Sequence, residues 1–326
     1  ATTEIYTRSL HDALPILLIC VGARFDDRVA GLPRRFAENA VIAQIDIDAA
    51  EVGKVKAVDW SYVADAGAAL RDLMEYGVDV HTDHPRWLRH VADMKKKHRQ
   101  DFNRKSDIIQ PQAALEVLNE LTRGEAIITS GVGQHQMFCA QYLDFREPRT
   151  WITSGSMGTM GFGLPAAIGA QYAHPEKLVV DVDGDGSIRM NIGELETCTN
   201  YNLPVKVLLL NNRGDGMVVQ WQTLYYGERF SGTDKTLHCK DFVKTAEADG
   251  FQFARRVSKY EDLRKEMEEF LAFPGPAFLE VMTDKQAFVY PMVGPGQPYK
   301  DMLTGPHIES REHGPKEDVL DISDCF

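Results

Sequence analysis

Leu178-Val179-Val180-Asp181-Val182-Asp183-Gly184-Asp185-Gly186-Ser187 and, further on, Val205-Lys206-Val207-Leu208-Leu209-Leu210-Asn211-Asn212 decide how this chain folds. Each stretch is a short, mostly apolar run that stops at a cluster of small or polar residues. A strand covered on both faces of a parallel sheet reads this way. The two strands are expected over Leu178–Val182 and Val205–Leu210. Between them Ile192–Tyr201 has a helical pattern, so the unit is β-α-β.

The same alternation continues outward. Ala126–Ser130 reads as a strand running into Gly131, after a helix over Ala113–Leu121. Gly161–Tyr172 reads as a helix rich in Gly and Ala. Tyr260–Leu271 is an amphipathic helix stopped by Pro274-Gly275-Pro276, with a last strand at Ala277–Val281. Upstream, Leu17–Val21 and Val41–Ile47 are further buried strands, and Ala66–Tyr76 is a helix closed by Gly77. The fold class is α/β. A partial Rossmann-like domain over 17–80 precedes a charged linking helix within 81–110, whose Lys95 to Arg99 run reads as a solvated face. A mostly parallel, doubly wound sheet follows over 111–305, and a polar tail occupies 306–326. Residues 1–16 carry no pattern that fits the rest and are set aside.

Composition limits the function classes. The chain has 326 residues, a net charge of −12 and 26% charged residues, which argues against nucleic acid as a partner. No apolar run reaches the ~18 residues that a membrane helix needs. Cys20, Cys139, Cys198, Cys239 and Cys325 are scattered without metal-ligand spacing, so free thiols in a reducing compartment are expected.

The strand tips carry the chemistry. Ligands of open α/β sheets sit outside the carboxyl ends of the strands. Asp185 and Asn212, 27 residues apart, end two consecutive strands and face one crevice. A carboxylate and an amide oxygen suit a hard cation such as magnesium, which shares its shell with phosphates and water. Gly184 and Gly186 are expected to let a diphosphate approach the backbone. Ser187 is expected to open a helix whose N–H groups favour an anion. A carbonyl from the loop after Asn212 would be a third ligand.

This arrangement resembles the thiamine-diphosphate enzymes. The words around it look like the acetohydroxyacid synthase family: Gly131-Val132-Gly133-Gln134-His135-Gln136-Met137, Gly158 to Ala167, and Gly216-Met217-Val218-Val219-Gln220-Trp221. Arg24-Phe25-Asp26-Asp27-Arg28, Ile45-Asp46-Ile47-Asp48 and Tyr290-Pro291-Met292 agree, and the resemblance runs from about Leu17 to Leu303. It implies magnesium held by Asp185, Asn212 and the Gly214 carbonyl. Val132, Gly133, Gln134, His135, Gly158, Asp185, Gly186 and Ser187 would contact thiamine diphosphate, as would Asn212, Gly214, Gly216 and Met217. Met160 would lie beneath the cofactor and help keep it bent. An FAD site would use Gly22, Ala23, Arg24, Phe25, Asp26, Asp46, Ile47, Asp65 and Ala66, with Gly155 and Ser156 from the later domain. Arg28 would hold a substrate carboxylate, and Trp221 would form an apolar wall.

The implied reaction is decarboxylation of pyruvate and transfer of its two-carbon unit to a second 2-keto acid, pyruvate or 2-ketobutyrate, at the start of branched-chain amino-acid synthesis. The resemblance also implies a homodimer or larger homo-oligomer, a regulatory small subunit, and a cytoplasmic location, or a plastid one where a transit peptide precedes the chain. The family's proton-relay glutamate belongs to an amino-terminal domain outside 1–326, so the polypeptide alone is expected to be inactive. A pyruvate oxidase, a glyoxylate carboligase and a non-catalytic cofactor-binding fragment are the competing readings.

Overall fold

The computed structural model describes residues 17–77, 85–237 and 240–308, without the side chains of Asp27, Arg28 and Lys300. The readings for 1–16, for the tail from 309, and for Cys239 and Cys325 lie outside the described residues. The chain divides into two compact units. One comprises residues 102–289, and the other the residues up to 101 with those from 290 onward.

The smaller unit contains β1 (Leu17–Val21), α1 (Asp27–Ala30), β2 (Val41–Asp46), β3 (Trp60–Val63), α2 (Ala66–Tyr76) and α3 (Pro85–Lys97). Its three strands are parallel in the order β1-β2-β3. Only the central β2 has a buried run, from Ile42 to Ile45. The strand β3 escaped the sequence reading because all four of its residues are exposed, so no buried apolar run marks it. Helix α2 has the expected limits. Asp65 caps it, its Oδ1 accepting from the Ala68 N–H at 2.9 Å, and Gly77 closes it with an ordinary negative φ. Helix α3 buries no residue, as its charge run foretold. Residues 290–308 pack into this unit: Tyr299 lies on Phe36 and its hydroxyl donates to the Val29 carbonyl.

The larger unit contains α4 (Pro111–Thr122), β4 (Ile127–Ser130), α5 (Gln134–Tyr142), β5 (Trp151–Thr153), α6 (Gly163–Ala173), β6 (Val179–Gly184), α7 (Leu195–Asn200), β7 (Lys206–Asn211), α8 (Gly216–Tyr225), α9 (Phe242–Ala248), β8 (Phe253–Val257), α10 (Tyr260–Ala272) and β9 (Ala277–Met282). All six strands are parallel, in the order β5-β4-β6-β7-β9-β8. The apolar strands fill two cores, one on each face. Val180, Val182, Leu208, Leu210, Leu279 and Val281 point into one, and Val179, Val207, Leu209 and Phe278 into the other. Period-two alternation between two buried faces is why these strands read as nearly unbroken apolar runs.

Lys206 opens β7 but is only 2% exposed. Its Nζ donates to the carbonyls of Phe273 and Gly275, both at 2.6 Å, just past the end of α10. Burial lowers its pKa to about 8.

Two outcomes follow. Leu208→Ala removes a fully buried side chain from a central strand and should cost ~2–5 kcal/mol in urea unfolding, where a loss under 1 kcal/mol would contradict the two-faced core. For Lys206 the native state sheds its proton near pH 8, whereas the unfolded chain keeps it to about 10.4. The unfolded state therefore binds more protons in that window, and the penalty of burying the charge fades as pH rises. The stability of the parent relative to Lys206→Met should improve by on the order of 2 kcal/mol between about pH 7 and 9.5. A difference that stays flat or falls would show that Lys206 keeps an ordinary pKa.

Candidate functional site

The strand order locates the crevice. From β4 the chain runs outward to β5, then returns past β4 to β6 on its other side. The β4–β6 gap is therefore the switch point, where a crevice opens beyond the carboxyl ends of the strands. Three loops leave the sheet here: Gly131 to Gly133 after β4, Asp185 to Ser187 after β6, and Asn212 to Asp215 after β7. They enclose a cavity of about 80 Å³. Val132, Gly133, Gln134, His135, Met160, Asp185, Gly186, Ser187, Asn212, Gly214, Gly216 and Met217 all line it. The structure thus brings together the sequence-predicted diphosphate and cation residues, except Gly158, which is exposed and lies off this lining.

Asp185 is the most demanding group in the cavity. It is 1% exposed, and neither carboxylate oxygen accepts a fully formed hydrogen bond. Burial pushes its pKa up to about 6, and the neighbouring Asp215 charge adds to that rise. The backbone N–H groups of Gly214 and Asn212 and the Arg189 guanidinium oppose it. The Asn212 amide donates from Nδ2 to Gln134 Oε1 at 3.2 Å, so Oδ1 is the end left over. Gly214 contributes backbone alone. A buried carboxylate with unmet acceptors, an amide oxygen and a loop carbonyl fit a hard cation whose remaining positions go to phosphate and water. Among the described residues no group of three or more His, Cys, Asp or Glu side chains is placed to hold a metal, so the softer, protein-saturated type of site is not offered.

Two sequence expectations change. Ser187 opens a 3-10 turn, Ile188–Met190, rather than an α-helix, which begins only at Leu195. Its hydroxyl instead accepts from the N–H groups of Val132 (3.2 Å) and Gly161 (3.0 Å), tying two loops to the end of β6. Gly184 is glycine because of a side chain: a Cβ there would lie 2.6 Å from the His135 ring. That ring is buried against β6, with Nε2 3.3 Å from Asp183 Oδ1.

Met160 lies on the cavity with Phe138, Leu210, Met217 and Val218, which give it an apolar wall. Trp221 is half-buried on α8 beside Tyr225, with ring centroids 5.3 Å apart, and is not part of the lining. Arg28 lies on α1, and its side chain is outside the described residues.

In the smaller unit the expected flavin positions lie at or after the carboxyl ends of β1, β2 and β3. Gly22 has φ +60° and donates to the Ile45 carbonyl at 2.8 Å. Ala23 and Arg24 are exposed, Arg24 pairs with Asp26 at 3.4 Å, and Phe25 is buried in the unit's core. Asp46 Oδ1 accepts from the Asp48 N–H at 2.9 Å, and Ile47 is exposed. Asp65 caps α2, which begins at Ala66. Gly155 and Ser156 are exposed in the larger unit, in a turn after β5.

The sequence reading missed Gln220 as a site residue. It is fully buried on α8, where it meets Gln134 at 3.0 Å. A polar residue amid Met217-Val218-Val219 and Trp221 was the available signal.

The comparisons with known proteins agree with this geometry. Residues 131–281 match the family model described as thiamine pyrophosphate enzyme, C-terminal TPP binding domain. Residues 17–73 match the central domain of the same enzymes. Acetolactate synthase 1, chloroplastic, of Nicotiana tabacum is 45% identical over 298 residues, covering 88% of this chain and 44% of the relative. Acetolactate synthase, chloroplastic, of Arabidopsis thaliana is 43% identical over 88% of this chain and 44% of its own length. Acetolactate synthase 1, chloroplastic, of Zea mays is 43% identical, with 88% and 46% covered. The chain spans less than half the length of these curated relatives. With central and TPP-binding domains in the family's order and a cation-fitting cavity at the strand tips of the second, the chain belongs to the thiamine pyrophosphate enzymes and is a homologue of the acetolactate synthases.

Proposed function

We propose that this chain holds the magnesium–diphosphate end of thiamine diphosphate in an acetolactate synthase, which decarboxylates pyruvate and joins the two-carbon unit to pyruvate or 2-ketobutyrate. The observation that carries the reading is the buried, unmet Asp185 carboxylate sharing one switch-point cavity with Asn212 and Gly214. Thiamine diphosphate, when bound, supplies an acidic C–H carbon that adds to keto groups and an electron sink for decarboxylation. The chain's own residues bind and orient. Asp185, Asn212 and the Gly214 carbonyl would hold the cation, which in turn fixes the diphosphate. Gly133, Gln134 and His135 line the same cavity, and Met160 and Met217 give apolar contact that excludes water.

Arg28 and Trp221 are the proposed substrate residues, the first for the carboxylate and the second for the side chain of the incoming keto acid. FAD is proposed for the β1 and β2 tips of the smaller unit, where the Asp46 carboxylate suits a ribose hydroxyl. Homo-oligomerisation and a regulatory small subunit belong to the same proposal. The compartment is the cytoplasm or, as the names of the relatives favour, a plastid. No helix among the described residues is long and apolar enough to cross a membrane.

Titration of magnesium with thiamine diphosphate, followed by calorimetry, tests the site. Asp185→Asn should weaken binding by more than about 100-fold, beyond the usual cost of losing an outer-shell partner. Without metal the variant should melt no lower than the parent, because the lost carboxylate had unmet acceptors. Equal binding by both proteins would remove Asp185 from the cation. With the complete gene product, acetolactate should form from pyruvate, whereas peroxide as the main product would favour an oxidase. There Trp221→Leu should shift the preference between 2-ketobutyrate and pyruvate by about tenfold, within the 1–3 kcal/mol that an extra methylene is worth. An unchanged ratio would take Trp221 out of substrate selection.

A further inference from the structure

A chain of buried amides runs behind the cation site. Gln220 on α8 is fully buried and Gln134, at the start of α5, is 5% exposed. The backbone N–H of Val289 donates to Gln220 Oε1 at 2.9 Å, and Gln220 Nε2 donates back to the Val289 carbonyl at 2.9 Å. Gln134 Nε2 also donates to Gln220 Oε1, at 3.0 Å. Gln134 Oε1 is then the end that accepts from Asn212 Nδ2, at 3.2 Å.

An amide side chain can be turned over, exchanging its donor and acceptor ends, at little steric cost. A backbone peptide cannot. Because Val289 offers a donor and an acceptor in fixed places, Gln220 has one orientation that satisfies both. That orientation presents an acceptor to Gln134, so Gln134 has one orientation, and Asn212 in turn has one. Turning over any member would set like against like in a buried place, where an unmet polar group is costly. Space is also reserved for the last link, since a Cβ on Gly216 would lie 2.1 Å from Gln134 Oε1 and 2.4 Å from Asn212 Nδ2.

We propose that Gln220 is a positioning residue: through Gln134 it transmits the polarity of the Val289 backbone to Asn212, so that Oδ1 rather than Nδ2 faces the cation. The inference rests on Asn212 being a cation ligand. An Nδ2 turned inward would present a donor to a cation, so the relay sets affinity without touching the ion.

The test is Mn²⁺ affinity of the full chain with saturating thiamine diphosphate, read from the free-ion electron spin resonance signal. Thermal melting of each variant is recorded alongside. Gln220→Leu should weaken Mn²⁺ binding about tenfold or more, the range for losing an outer-shell partner. Gln220→Glu, with a carboxyl proton donated to the Val289 carbonyl, keeps an acceptor facing Gln134 and should stay within about threefold of the parent. Gln134→Met breaks the relay at its middle and should match Gln220→Leu, and it decides the matter if Gln220→Leu does not fold. In an Asn212→Asp background both ends of the side chain accept, so no polarity remains to be set. Gln134 Oε1 is then pinned against a like oxygen, so adding Gln220→Leu there frees Gln134 to turn over and should not weaken binding, a non-additivity that a merely structural role would not produce. Parent-like binding by Gln220→Leu or, if it does not fold, by Gln134→Met would overturn the inference, as would equal losses in the parent and Asn212→Asp backgrounds. Asn212→Ala separates the two claims. If it binds as the parent does, the ligand reading of Asn212 falls. If it binds weakly while Gln220→Leu does not, only the relay falls.

Discussion

The site depends on a carboxylate placed where a folded chain should not want one. Asp185 sits at the tip of a central strand, almost wholly buried, with no fully formed hydrogen bond to either oxygen. Burial alone would favour its neutral form, and nearby N–H groups relieve only part of that pressure. Such a group persists where the surrounding structure over-determines its position. The hydroxyl of Ser187 ties two loops to the end of β6, while β6 itself is paired on both sides by β4 and β7. The strand cannot shift to let the carboxylate reach water.

The same strand shows how context decides what a carboxylate does. Asp181 and Asp183 alternate along β6 and Asp185 follows its last residue, each buried. Asp181 is pushed well up, first by burial and then by the Asp183 charge, and Thr129 donates to it at 3.0 Å. Asp183 accepts from the Gly184 N–H at 2.8 Å and lies beside the His135 ring. Asp185 differs from both because it reaches past the last ladder bond into the cavity. Asp181 and Asp183 thus each engage one oxygen with a structural partner, whereas Asp185 engages neither, and of the three only Asp185 lines the cavity.

Much of the larger unit was legible because its central strands are buried on both faces and its helices α4 and α10 are amphipathic. Two helices, α5 and α8, escaped for one shared cause. Helix α5 buries Gln134 and His135 while Met137 is 39% exposed, and α8 buries Gln220 while Val218 is 47% exposed. Their polar residues turn inward to serve the cavity, so an apolar stripe at helical spacing never forms. The short edge strand β5 and the exposed β3 lacked a buried run for the opposite reason, having too little covered surface. The proposed cation residues were legible because Asp185 and Asn212 follow strands that can be read. Their orienting glutamines were not, because those lie on the two helices whose pattern the site inverts.

That inversion bears on how the site holds its geometry. A loop such as Asn212 to Asp215 has few ladder bonds, and Arg213 within it sits at φ +57°. Left to itself, the loop would let the Asn212 amide rotate. Anchoring the amide through two glutamines to the main chain at Val289 moves the constraint from the loop onto the bodies of α5 and α8, and a helix holds a side chain more closely than a loop does. Gly216 then belongs to the same device, because the first residue of α8 must lack a side chain for the Gln134–Asn212 bond to pass over it. The polar burial that hides these helices from a sequence reading is therefore what gives a loop side chain a fixed acceptor.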